Sequence, residues 1–187
     1  MTEIRTIEAR LDREAAVDRT ATTSMWRYAW RQLQSWFGNG PEPERVQRLY
    51  YPNYIAYTTV TIPRRFAGDR VEKFLGGVDG MTARSGAIDV DLPERERHRV
   101  DDESVLEPDV DDDRVYDEWR DWVFEYVNRK FRPLSKPEFD LDDVELVYTP
   151  YWVVEFEDST YAVNGLTKAA DPIRTNQPID EQYRRIR

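Results

Sequence analysis

The feature that most constrains this chain is a segment that it carries twice. Val46-Gln47-Arg48-Leu49-Tyr50-Tyr51-Pro52-Asn53-Tyr54-Ile55-Ala56 aligns with Val144-Glu145-Leu146-Val147-Tyr148-Thr149-Pro150-Tyr151-Trp152-Val153-Val154. Farther along, Val78-Asp79-Gly80-Met81-Thr82-Ala83 aligns with Val163-Asn164-Gly165-Leu166-Thr167-Lys168. Each copy joins a β-rich run to an Asp-Gly or Asn-Gly dipeptide, a strong hairpin-turn signal. An aromatic, helix-spaced stretch precedes each: Trp26, Trp30 and Leu33 in the first, Trp119, Val123 and Tyr126 in the second. One helix on one short meander makes a thin core, and two such units bury far more. The expected fold is therefore α+β, with two pseudo-repeated helix-plus-antiparallel-meander units and an extra N-terminal helix.

The remaining elements follow from local pattern. Ile4, Ile7 and Leu11 fall at i, i+3 and i+7, which predicts an exposed amphipathic helix over residues 1–22. The first unit then spans 23–92, with a helix from Met25 to Phe37, a β-rich run over Leu49–Ile62, a turn at Asp79-Gly80 and a short strand over Ala87–Leu92. Residues 93–113 are charged and aperiodic and read as an acidic linker. The second unit spans 114–174, with a helix over Val115–Arg132 ended by Pro133, a strand over Val144–Glu157, a strand over Thr160–Val163 and a last one over Leu166–Ile173. Residues 175–187 read as a polar tail. Sequential elements are usually spatial neighbours. That rule predicts Trp119, Val123 and Tyr126 on the strand face of Tyr148, Trp152 and Val154, and Trp26, Trp30 and Leu33 on the matching face of the first copy.

The order helix, strand, strand, then a strand ending in Val-Asp-Gly-x-Thr resembles the PepSY-like repeats. Tyr151-Trp152-Val153-Val154-Glu155-Phe156 and Tyr161-Ala162-Val163-Asn164-Gly165-Leu166-Thr167 carry the likeness, with their counterparts in the first copy. That family usually continues with glycine after the threonine, where Ala83 and Lys168 stand here. The resemblance covers about half the chain and implies a non-catalytic module that acts by binding or inhibition.

Composition narrows the function classes. The chain has no cysteine, which excludes disulfides and thiolate chemistry and argues against structural zinc. The formal net charge is −10, against a general affinity for nucleic acid. Lys73, Lys130, Lys136 and Lys168 are the only lysines, and every other basic side chain but His98 is arginine. Acidic surface, scarce lysine and absent cysteine resemble a haloarchaeal protein. No apolar run is long enough to span a membrane, and the N-terminus has no secretory pattern, so the expected location is cytoplasmic.

Candidate chemistry is sparse. The single histidine, His98, lies in the charged stretch Glu94–Arg99 and reads as a solvated linker residue. Asp109-Val110-Asp111-Asp112-Asp113 opens like a calcium loop, but Arg114 and Arg120 stand where its glycine and bidentate glutamate belong. Gly76-Gly77-Val78-Asp79-Gly80 lacks the Lys-Ser/Thr of a phosphate loop. No catalytic residue, cofactor site or metal site is expected, and the chain is read as no enzyme.

The leading expectation is a protein-interaction or regulatory module, binding another protein or a further copy of itself. Its candidate partner-binding residues are Tyr51 and Tyr57, on one face of their strand, and the basic spot Arg64, Arg65, Phe66 and Arg70. Two alternatives are a membrane-surface adaptor acting through the Trp/Arg helix 25–37, and a small-ligand binder or enzyme with a carboxylate–arginine site between the units. The charge argument makes a direct prediction. Thermal stability should rise from dilute buffer towards molar KCl, because screening relieves carboxylate repulsion. A melting temperature that stays flat or falls over that range would remove the halophile reading.

Overall fold

A computed structural model describes residues 1–23, 42–64, 68–88 and 94–173, with 21–23 described by backbone alone. It is α+β. In chain order the elements are β1 (Thr2–Ile7), α1 (Arg13–Thr23), β2 (Arg45–Ile62), β3 (Arg70–Asp79), β4 (Ser85–Ala87), β5 (Arg95–Val100), α2 (Asp112–Phe131), β6 (Glu138–Phe156), β7 (Ser159–Asn164) and β8 (Ala170–Pro172). A 3-10 turn at Asp102–Ser104 follows β5. The strands form one mixed sheet in the order β4-β3-β2-β6-β1-β5, with β7 paired to β6 and β8 to β7. The expected helix over Met25–Phe37 and the tail 175–187 lie outside the described residues.

Two expectations about connecting segments are corrected. Residues 2–7 are a strand, not the start of a helix. Thr2, Ile4, Thr6 and Ile7 are β-branched and favour extended backbone. The helix begins only after Asp12, whose Oδ1 accepts from Ala15 N at 2.8 Å and caps α1. The charged stretch 93–113 is not a linker. Its Arg95–Val100 pairs antiparallel with the whole of β1, from Ile7↔Arg95 to Thr2↔Val100. Its Leu106 and Val110 are buried. A fourth strand sits at Ser85–Ala87, residues 89–92 of the expected strand Ala87–Leu92 lie outside the described residues, and of the expected last strand Leu166–Ile173 only Ala170–Pro172 is a strand.

The chain divides into two compact units that interleave in sequence. Unit 1 is Met1–Tyr51, Pro93–Leu106 and Tyr148–Arg187; unit 2 is Pro52–Leu92 and Glu107–Val147. The expected bounds, 23–92 and 114–174, do not coincide with these. The reason is strand length: β2 runs for 18 residues and β6 for 19, and each contributes to both units.

In unit 2, α2 supplies the core. Asp111 caps it, its Oδ1 accepting from Arg114 N at 2.9 Å. Asp112 and Asp113 in the first turn and Arg129 and Lys130 in the last complement the helix dipole. Arg132, at φ 46°, ends it in the left-handed region ahead of Pro133. Its buried stripe Val115, Trp119, Val123 and Val127 packs with Tyr54, Ala56, Val60, Ile62 and Val78. The Trp119 indole N–H donates to Thr58 Oγ1 at 2.7 Å. Gly76 lies directly under that ring, so a Cβ there would fall 2.1 Å from Trp119 Cη2.

In unit 1, α1 lies against β7 and β8. Leu11 and Ala16 pack with Val154 and Val163, and with the half-buried Trp152, Phe156 and Ala170. The opposite face holds Leu49, Leu106, Val153 and Ala162. The expected packing of α2 is thus overturned. Trp119 and Val123 cover the meander of residues 52–88, and Trp152 and Val154 are covered by α1. Sequence adjacency fails as a guide because each long strand carries the chain out of one unit before its meander forms.

Several local arrangements occur in both units. Asp79 Oδ1 accepts from Met81 N and Thr82 N, both at 2.9 Å. Asn164 Oδ1 accepts from Leu166 N at 2.9 Å and Thr167 N at 3.0 Å. Gly80 N donates to Pro52 O at 3.1 Å, and Gly165 N donates to Pro150 O at 2.8 Å. Those carbonyls leave no room for a side chain, since a Cβ on either glycine would sit 2.9 Å or 2.7 Å from them. Ala83 and Lys168 follow at φ 59° and 61°, the left-handed conformation that glycine adopts most readily. The packing of Trp119 yields a paired prediction. Gly76→Ala should cost roughly 1–3 kcal/mol, because its methyl overpacks the indole. Gly86→Ala, with nothing within 4 Å of its Cβ, should change stability by less than about 0.5 kcal/mol. Chemical denaturation of both variants checks this; equal effects would contradict the placement of Trp119.

Candidate ligand-binding cavity

The candidate site lies within unit 1, at the loop that leads from β1 into α1. A cavity of about 660 Å³ is lined there by residues 6–13 together with Arg48, Tyr50, His98 and Trp152. Backbone and side-chain bonds hold each wall. The Thr6 hydroxyl donates to Tyr148 O at 2.8 Å, beside the parallel bridge Thr6↔Tyr148. Arg10 N donates to Gly165 O at 2.9 Å and pins the loop to the turn after β7. The Trp152 indole N–H donates to Leu11 O at 3.0 Å, which orients the ring and fixes the residue ahead of the helix cap.

Arg48 is the central side chain. It lies on the same face of β2 as Tyr50, and its guanidinium carbon sits 5.3 Å from the Tyr50 ring centroid and 5.6 Å from that of Trp152. Both contacts are within the range of a cation–π interaction. Its Nε is buried and makes no hydrogen bond among the described residues. A buried donor left unsatisfied is costly. Stacking on two rings holds the plane of the guanidinium but leaves that N–H unused.

The lining is positive in a protein of net charge −10. Arg10, Arg13, Arg48 and His98 face Glu8 and Asp12. The Asp12 carboxylate is engaged as the cap of α1. The first turn of that helix adds its own partial positive charge to the same wall. His98 reaches the cavity from β5, where it is exposed and lies 3.0 Å from Glu96 Oε2. An arginine fork, an aromatic pair and a helix start are groups that bind and orient an anion. Among the described residues no group of acidic or histidine side chains is arranged to hold a metal ion, and no helix is long and apolar enough to cross a membrane.

The residues expected to bind a partner are not among those lining this cavity. Tyr51 belongs to unit 1, half-buried, with its ring 5.7 Å from that of Tyr151. Tyr57 belongs to unit 2, half-buried, opposite Leu75. Arg64 is exposed beyond the end of β2, and Arg65 and Phe66 lie outside the described residues. Arg70 forms an ion pair with Glu72 and lies 4.8 Å from the Phe131 ring, so it is occupied locally.

Sequence reasoning placed His98 in a solvated linker and passed over Arg10, Arg13 and Arg48. One signal was present. In the repeated segment Arg48 aligns with Leu146, an arginine where the partner copy keeps an apolar residue. In comparisons with known proteins no family model matches the chain, and neither a curated protein nor a solved structure matches it.

Proposed function

We propose that this chain is a non-catalytic binding module made of two copies of one β-α-β-β-β unit, and that the cavity of unit 1 holds a small organic anion. The observation that carries the ligand reading is Arg48, stacked on Tyr50 and Trp152 with a buried and unused Nε–H in a net-positive cavity. The volume of about 660 Å³ falls inside the range of small-molecule sites.

The duplication is supported by the matched bonds of the two turns and by a second correspondence. Tyr54 Oη donates to Val110 O at 3.2 Å, as Trp152 Nε1 donates to Leu11 O at 3.0 Å, and Tyr54 and Trp152 occupy the same place in the repeated segment. Each acceptor stands just ahead of a capping aspartate, Asp111 or Asp12. The parallel bridges Tyr50↔Val105 and Thr6↔Tyr148 correspond in the same way. Aligned through the two caps, Arg10 and Arg13 stand where the other copy has Asp109 and Asp112, and Arg48 stands where it has Leu146. The basic lining is therefore a departure of one copy from the shared plan. A binding role also accords with the PepSY-like resemblance, and an archaeal cytoplasm rich in salt remains the proposed habitat.

Isothermal titration of the full chain with inorganic phosphate, pyrophosphate, citrate and adenosine monophosphate tests the site. At least one of these anions should bind with one-to-one stoichiometry. Arg48→Leu should raise its Kd by about ten- to a hundredfold, the worth of a charge-assisted hydrogen bond. Leucine is the residue the other copy carries there, so the variant should melt as a folded protein. If none of the four binds, or if Arg48→Leu binds as tightly as the parent, the cavity is not an anion site.

A further inference from the structure

We infer that His98 is a proton-controlled donor of the unit 1 cavity, which holds an anion tightly when the imidazole is protonated and releases it when the imidazole is neutral. The inference rests on the anion reading above and adds its regulation. Imidazole is the side chain whose charge ordinarily changes between about pH 5 and about pH 8. His98 is the chain's only histidine, and it lines the cavity. The β1–β5 ribbon sets its place. His98 pairs with Ile4 and Glu96 with Thr6, and directly paired residues share a sheet face. Ile4 and Thr6 are buried, so His98 and Glu96 belong to the inward face of the ribbon, although both stay exposed.

The Glu96 carboxylate fixes what the ring can do. Its Oε2 lies 3.0 Å from His98 Nε2. An ionised carboxylate only accepts hydrogen bonds, so Nε2 carries a proton in both charge states of the ring. Nδ1 is the nitrogen left for a ligand. In the neutral ring Nδ1 is an acceptor, and its lone pair repels an anion; in the imidazolium it is a donor. One proton thus reverses the hydrogen-bonding sense and adds a charge. The lining carries few enough charges for that to matter. Three arginines, Arg10, Arg13 and Arg48, stand against two carboxylates, Glu8 and Asp12, so the net lining charge is one positive with His98 neutral and two with it protonated. The groups around the imidazole come from every wall. β1 offers it only the uncharged Ile4 and Thr6, β2 offers Arg48 and Tyr50, β6 offers Trp152, and the loop into α1 offers Glu8, Arg10, Asp12 and Arg13. Asp12 is engaged as the cap of α1, which leaves Glu8 as the lining carboxylate that competes with an anion for the imidazolium.

The untagged full chain has one imidazole, so its ring resonances report His98 alone. The probes are inorganic sulfate, constant in charge over the range, and the four anions above, each titrated at about pH 5 and about pH 8 at one ionic strength. Sulfate should bind about tenfold more tightly at the lower pH, the worth of a charge-assisted hydrogen bond. Any anion that binds should move the His98 ring titration to higher pH, because a bound negative charge favours the imidazolium. Chloride at equal ionic strength should leave it in place. His98→Gln should bind sulfate equally at both pH values. His98→Lys, whose charge persists through the range, should keep the tight binding at the upper one. A bound anion that leaves the ring titration unmoved, or sulfate that binds the parent equally at both pH values, would overturn the switch and leave the anion site standing. Absence of binding by all five anions at both pH values would instead overturn the anion reading, and this inference with it.

Discussion

A hydrogen bond from a strand aromatic to the carbonyl just ahead of a helix cap sets most of the remaining structure. Trp152 makes it to Leu11 O and Tyr54 makes it to Val110 O. Each bond decides where a helix starts and which meander it covers. The neighbouring aspartate then caps the helix. Burial, with Asp112 and Asp111 nearby, pushes the Tyr54 hydroxyl above its ordinary value of 10.0. The donor stays protonated at neutral pH. The stability linked to it is complete below the ordinary value and is lost as pH rises through the raised one.

The same bond in unit 1 shapes the cavity. Trp152 is held at one end by Leu11, and its ring face is left to Arg48. The loop of residues 8–12 is tied to the turn after β7 through Arg10 N and Gly165 O. A loop tied by backbone bonds, a hydrogen-bonded ring and a guanidinium held over it would lower the entropic cost of binding the anion we propose. In the duplication we propose, the equivalent aromatic of unit 2 is a tyrosine, and the positions matching Arg10, Arg13 and Arg48 hold two aspartates and a leucine. On that proposal the two units share a frame and differ in the groups hung on it.

Much of the frame was legible in the sequence. The long strands, the helix from Asp112 to Phe131 and both Gly-containing turns follow from alternation, helical spacing and turn dipeptides. Ala83 and Lys168, which follow each Thr, occupy left-handed backbone that their residue types do not signal. What was not legible has physical reasons. β1 carries Ile4 and Ile7 at helical spacing because both of its faces are covered near its end, where Thr6 and Ile7 are each buried. β5 is nearly all charge, and its strand character comes from its partner β1 rather than from its own side chains. The cavity joins residues far apart in sequence, while local clustering pointed to Arg64–Arg70. Only the mismatch of Arg48 with Leu146 hinted at it.

The claim on which the rest depends is that each helix covers the meander encoded in the other half of the chain. Nuclear Overhauser contacts of the tryptophan indoles, in protein labelled at tryptophan and the methyl groups, measure this directly. The Trp119 indole should show contacts to Thr58 and Gly76, and the Trp152 indole to Leu11 and Ala16. Contacts from Trp119 to Val154 and Val163, with none to Thr58, would contradict the account.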